Sequence, residues 1–105
     1  MTAKRVGYAV KLIVNGCQIN QVVIDQHYKV KHPDIDDRFI LKLVQTLDEK
    51  EFQAEDRKDD WEFFMLDQIP FEGKKYRLVW CMQDHSLLIG VINCFRRGSY
   101  EKNES

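Results

Sequence analysis

Tyr76-Arg77-Leu78-Val79-Trp80-Cys81-Met82, a break at Gln83-Asp84-His85-Ser86, then Leu87-Leu88-Ile89-Gly90-Val91-Ile92-Asn93-Cys94-Phe95-Arg96-Arg97: this stretch decides the architecture. Both runs are rich in β-branched and aromatic residues, and the residues between them have turn chemistry, so the pair reads as an antiparallel hairpin. If the hairpin turns on Asp84-His85, Trp80 faces Ile89, Leu78 faces Val91 and Tyr76 faces Asn93. Alternation then collects Tyr76, Leu78, Trp80, Met82, Leu87, Ile89, Val91 and Phe95 on one apolar face. Arg77, Val79, Cys81, Leu88, Gly90, Ile92, Cys94 and Arg96 fall on the other. Arg77 and Arg96 are thus expected to share a side, with Asn93 and Arg97 toward the core side or its rim.

Upstream, Trp61–Phe71 alternates as a third strand, and Pro70 sets its end at an edge or in the next turn. Glu72-Gly73-Lys74 supplies that turn. At the other end of the chain, residues 6–14 and 17–25 flank Asn15-Gly16, a dipeptide suited to a type I′ turn because both central residues need positive φ. With Val14 opposite Cys17, the face Tyr8, Val10, Leu12, Val14, Cys17, Ile19 and Val23 is apolar and has to pack on something. Its partner is the segment after His32-Pro33. Ile35, Phe39, Ile40, Leu43, Val44 and Leu47 recur at helical spacing, with Asp34 as N-cap and Asp36 and Asp37 in the first turn, which predicts one helix over 34–48. The acidic stretch 48–60 reads as a loop, and 98–105 as a frayed tail after a single domain over 1–97. The expected fold class is α+β: an antiparallel sheet of about five strands, made of the N-terminal hairpin and a C-terminal three-stranded meander, packed on one main helix.

Composition agrees with one small folded unit. At 105 residues with 44% hydrophobic and 31% charged content, the chain can bury a core without staples and is not compositionally disordered. No apolar stretch reaches the roughly 18 residues of a membrane span. Lys11 interrupts the apolar run 6–14 and no small-residue cleavage site follows, so no secretory signal is expected. The odd cysteine count (Cys17, Cys81, Cys94), without C-x-x-C spacing, points to free thiols in a reducing compartment and a cytoplasmic protein. The net charge of −1 divides unevenly: residues 48–62 carry −5 and the rest of the chain +4, which excludes whole-protein steering toward nucleic acid but leaves room for a local basic patch.

The densest titratable cluster is His27-Tyr28-Lys29-Val30-Lys31-His32, just before the helix. Imidazoles and ammonium groups there have the chemistry of a general base plus a phosphate contact. In an extended segment His27, Lys29 and Lys31 share one side and His32 points to the other; a solvated connector explains the same residues. No metal site is expected, since His-x4-His matches no common zinc spacing and the acidic run lacks the pattern of a calcium loop. No cofactor is expected either: phosphate-binding glycine loops are absent. Arg77 and Arg96, joined by Lys75 or Arg97 at strand ends, have bidentate geometry for phosphate, or else they pair with the acidic segment.

The meander 61–97, its Tyr76-Arg77-Leu78-Val79-Trp80 strand, the terminal Asn93-Cys94-Phe95-Arg96-Arg97 and His27 ahead of the helix resemble the small ribonuclease toxin domains of the RelE, colicin and barnase type. That resemblance implies a toxin-like, metal-independent ribonuclease. His27 would activate the 2′-hydroxyl and Arg77 and Arg96 would stabilise the phosphorane, with Lys29, Lys31, His32, Lys75 and Arg97 holding RNA. Two other classes stand beside it. One is a non-enzymatic protein-binding module (inhibitor, immunity or regulatory protein) that engages a basic partner through the acidic 48–62 segment or an open sheet edge. The other is a domain that dimerises through Val79, Leu88 and Ile92.

Overall fold

The computed structural model describes residues 4–83 and 86–96. Strand β1 (Arg5–Val14) turns into β2 (Cys17–Asp25); a short helix α1 (Tyr28–Lys31) and a longer one, α2 (Asp37–Gln45), follow, and then β3 (Asp56–Lys58), β4 (Trp61–Phe71), β5 (Lys74–Gln83) and β6 (Leu88–Arg96). All six strands form one sheet in the order β1-β2-β6-β5-β4-β3. The pairs are antiparallel except β2 with β6, which run parallel from Gln21 opposite Leu88 to Ile24 opposite Val91. The expected antiparallel five-stranded sheet on one main helix is therefore corrected to a mixed six-stranded sheet with two short helices. The cause is the path of the chain. After β2 the helices carry it across one face to the far edge, where the acidic stretch adds β3, and β6 then returns beside β2 in the same direction.

Local chemistry accounts for the elements. Asn15 and Gly16 take positive φ (54° and 74°), closing the hairpin with Val14 opposite Cys17, and Glu72 and Gly73 do the same (51° and 81°) between β4 and β5. The N-cap of α2 is Asp36, not Asp34: its carboxylate accepts the Phe39 N–H at 2.8 Å, so the helix starts later than 34 and ends before 48. Its stripe Ile40, Leu43 and Val44, continued by Leu47, is fully buried against Val14, Ile19, Val22, Ile24, Leu78, Trp80 and Ile89. Trp80 lies at the centre, stacked on Phe64 at 5.3 Å and met edge-on by Phe52.

Three register breaks move side chains from one face to the other. The first lies between Ala9 and Leu12 and brings Val22 and Ile24, rather than Val23, into the core. The second lies between Leu66 and Ile69, where Gln68 has φ 59°. The third leaves Ile92 without a partner, because Trp80 pairs with Val91 and Val79 with Asn93. A bulge inserts one residue and inverts the alternation beyond it. Past Ile92, Cys94 turns inward and is fully buried, Phe95 faces out beside Arg77, and Arg96 sits opposite Tyr76 on the helix side. The tight turn expected on Asp84-His85 lies outside the described residues, as do Arg97 and the tail 98–105; the pairing of Met82 with Ile89 shows a longer connection than two residues.

The helices are tied to the sheet through one carboxylate. Asp37, at the start of α2, accepts the Tyr8 hydroxyl of β1 and the Tyr28 hydroxyl of α1, each at 2.6 Å, and the Gln26 amide at 2.9 Å, with the Lys29 ammonium 4.0 Å away. Burial alone would raise the Asp37 pKa, but the hydrogen bonds from Tyr28, Tyr8 and Gln26 outweigh it and hold the carboxyl below its ordinary value. Both tyrosines are correspondingly harder to ionise, Tyr8 chiefly through the bond to Asp37 and Tyr28 chiefly through burial. A depressed folded pKa means the carboxylate contributes stability that is fully present above its unfolded value of about 3.9 and lost as pH falls through the lower folded value. Asp37→Asn is expected to cost about 1.5–3 kcal/mol, the range for hydrogen bonds to a charged group. Urea unfolding at neutral pH and below pH ~4 checks both points: the wild type loses part of its margin on acidification, and the variant loses less.

Candidate functional site

With the helices on one side, the other face of the sheet carries a second set of side chains, most of which no described element covers. Strand pairing sorts them into rows. Lys58, Trp61 and Gln83 form one row, with Leu88 and Gln21 continuing it, and Asp56, Phe63, Cys81, Gly90, Val23 and Gly7 form the next. Met65, Val79 and Asn93 follow beside the bulged Ile92, and then Arg77 and Phe95. Ile92 and Met65 remain 39% and 38% exposed, high for large apolar residues in a sheet interior.

The glycines shape this face. Because Gly90 has no side chain, β6 opens into a shallow trough of about 500 Å³. A Cβ built on Gly90 would stand 3.0 Å from the Cys81 Sγ, so another residue there would fill the floor. Trp61 and Phe63 of β4 form one wall, Val23, Leu88 and Ile92 the other, and Arg5 and Asp25, opposite each other in the β1–β2 register, close one end. Burial raises the Cys81 pKa against smaller lowering effects of a Gly90 backbone hydrogen bond and the Arg5 charge, so the thiol stays protonated near neutrality and is no nucleophile. Burial pushes Cys94 up to about 12.

The residues singled out in the sequence are only partly brought together. His32, half-buried, stacks on Phe95 with ring centroids 5.1 Å apart and planes 15° apart. The Arg77 guanidinium lies 5.5 Å from the same ring and bonds the Asp67 carboxylate at 2.8 Å. Arg96 is on the opposite face, exposed beside Tyr76, so the shared side expected for Arg77 and Arg96 is corrected by the Ile92 bulge. His27 is exposed ahead of α1, its backbone N–H donated to Asp25 at 2.9 Å. Lys29 and Lys31 are exposed on a helical turn, not on an extended segment, and Lys75 is exposed at the start of β5. Arg97 lies outside the described residues.

The acidic segment is structured rather than a free loop. Asp48 accepts the Ile13 N–H at 2.8 Å, Arg57 pairs with Glu62 at 3.2 Å, and Asp60 accepts the Gln83 amide at 3.0 Å. Among the described residues no three potential metal ligands cluster, and no helix is long and apolar enough to cross a membrane.

Trp61 and Phe63 were not among the candidate residues. The signal lies in β4 itself: Trp61, Phe63 and Met65 alternate with Phe64 and Leu66, so both faces of the strand are apolar. Helices on one side of the sheet can cover only one of them. Compared with protein-family models, curated proteins and solved structures, the chain gives no match. The three thiols are free, with Cys17 exposed, Cys81 half-buried and Cys94 buried. A thiol reagent at neutral pH is therefore expected to modify Cys17 rapidly and the other two slowly, with all three reacting at one rate in denaturant. Equal fast modification of Cys81 in the folded protein would contradict its burial.

Proposed function

We propose that this chain is a non-enzymatic protein-binding module of a reducing, cytoplasmic setting, and that it contacts its partner through the uncovered face of the sheet. The observation that carries this reading is the apolar surface of Trp61, Phe63, Met65, Val79, Leu88 and Ile92 opposite the helix-covered core, with Met65 and Ile92 exposed and the other four half-buried. An apolar surface with aromatic and methionine side chains at its centre and charged groups toward its rim has the make-up of a protein contact. The charges around it are mixed: Arg5 and Lys58 are offset by Asp25 and Asp56, and Arg77 is bound to Asp67. That balance suits a protein surface better than a polyanion. This reading moves the contact from the acidic 48–62 segment to the sheet face, and the partner can be a second copy of the chain.

The test is a photo-crosslinking residue placed at position 92 or 65 in producing cells, with position 42 on α2 as control. Adducts at 92 and 65 but not at 42, lost on adding Ile92→Lys to the position-65 probe and kept with Asp59→Lys and Asp60→Lys, are expected. Adducts of twice the chain mass identify a homodimer. No adduct at either position, together with a monomer at high concentration, contradicts the reading.

One specific observation favours a second reading, the toxin-like ribonuclease: the His32 imidazole and the Arg77 guanidinium both lie against the Phe95 ring, 5.1 and 5.5 Å from its centre. In that reading His32 takes the 2′-hydroxyl proton, the 2′-oxygen attacks phosphorus and the 5′-oxygen leaves with a proton from water, Arg77 stabilises the phosphorane, and Lys29, Lys31 and Lys75 hold the backbone. Purified protein should then cleave single-stranded RNA, and His32→Ala should lower the rate by about 10²–10⁴-fold, the usual span of general acid–base catalysis. RNA left intact by wild-type protein removes it.

A further inference from the structure

We infer that the outer edge of β1, from Arg5 to Lys11, takes an extended segment of another protein as an added strand, and that Arg5 and Lys11 keep a second copy of this chain off it. This goes beyond the sheet-face reading and does not rest on it. The backbone itself names the occupant. β1 ends the sheet and has β2 on one side only. Over the last residues of β1 the chain closes the outer side with its own segment after α2. The Glu49 N–H donates to the Ile13 carbonyl at 2.6 Å, the Asn15 N–H to the Lys50 carbonyl at 2.9 Å and the Ile13 N–H to the Asp48 carboxylate at 2.8 Å, while Lys50 bridges Val14 in parallel. That closure stops at Ile13. From Arg5 to Lys11 no described element pairs with the outer side of the strand. Another extended backbone matches such a row of donors and acceptors in register.

The side chains fit an added strand. Val6, Tyr8 and Val10 are half-buried on the helix side, and Tyr8 and Val10 pack against the core. A neighbour with apolar residues at alternate positions continues that core by one strand. On the other face Gly7 and Ala9 are small and exposed. The bond from Tyr8 to Asp37 holds the strand in place beforehand, so pairing has little of this chain to order. The opposite edge of the sheet is different: β3 has three residues, and β4 beyond it carries the left-handed Gln68 (φ 59°) and Pro70, both of which interrupt a ladder. A second copy fits β1 poorly. Two-fold pairing along the whole open stretch is centred on Tyr8 and sets Val6 against Val10 and Arg5 against Lys11, each twice. Both cations lie on the exposed face, and like charges directly opposite destabilise a pair. Asp25, across from Arg5, is one strand further in and is engaged by the His27 N–H at 2.9 Å.

The experiment titrates an uncharged strand-forming peptide, acetyl-Thr-Val-Thr-Val-Thr-Val-Thr-amide, to millimolar concentration into the isotope-labelled full chain. Two further versions carry backbone N-methyl groups, one at the valines and one at the threonines. In a ladder one of these sets of amides faces β1 and the other faces away. The parent peptide and one methylated version should therefore shift the amide resonances of Gly7 and Ala9, while the other version should leave them in place. The resonances of Met65 on β4 should stay unmoved throughout. Equal behaviour of the two methylated peptides, or no shift at Gly7 and Ala9, overturns the inference. Sedimentation of the full chain tests the exclusion of a second copy. Lys11→Glu and Arg5→Glu each turn the opposed cations into two ion pairs and should tighten self-association about fivefold or more over the wild type, and the double variant should return to the wild-type value. Four equal values overturn that exclusion. Contact through the sheet face is common to all four chains and cancels from this comparison, and crosslinked adducts at 92 report on that face alone.

Discussion

The parallel pairing of β2 with β6, over only four residue pairs from Gln21–Leu88 to Ile24–Val91, makes one sheet out of two halves. On one side of it lies a hairpin; on the other, four strands joined in sequence. A parallel neighbour cannot be reached by a tight turn, so the chain between must cross a face, and here it crosses with α1 and α2 on one side only. That single crossing explains both the single core and the bare surface. The fully buried side chains Ile24, Ile89 and Val91 meet at this seam, under the helix stripe of Ile40, Leu43 and Val44. A sheet covered on one face alone is left with its second apolar face open, and this is the surface on which the functional reading rests.

The carboxylate of Asp37 complements the seam from the other end of the crossing. It draws one hydroxyl from the first strand, one from the short helix and an amide from the connection, so the path from β2 into α2 is held by polar contacts where the apolar core ends. The site is therefore built on rigid elements: strands below, a pinned crossover above. The face opposite can differ in composition without disturbing the core, because the two share only the backbone of the strands.

Much of this architecture is legible in the amino-acid sequence. Asn15-Gly16 and Gly73 mark their hairpins because Asn and Gly take positive φ readily, and the stripe from Phe39 to Leu47 marks the helix through its period. What is not legible has a common physical origin. Bulges at Ile92 and Gln68 carry no glycine, and Ile92 sits within an unbroken apolar run, so simple alternation carried Arg96 and Phe95 to the wrong faces. The pairing of β2 with β6 is set by the packing of the crossing helices, which no local pattern records. The acidic stretch became an edge strand through its neighbour's backbone, against the weak β preference of Asp and Lys. For the site, the face of Arg77 and the positions of Val79 and Leu88 followed from alternation alone, whereas the approach of His32 to Phe95 depends on α1 and could not.

The seam also has a consequence for how the molecule comes into being. Its paired residues lie sixty-seven positions apart in the chain, while the flanking hairpins join near neighbours. Loop closure over that distance has to precede the contacts that reward it, so topology of this kind slows folding. The first hairpin can form early, but β2 then presents an unpaired inner edge with Val22 and Ile24 beside it until β6 has been synthesised and added last. Until then that edge is open to strands of other chains. Completing the sheet thus protects the nascent molecule as much as it stabilises the finished one.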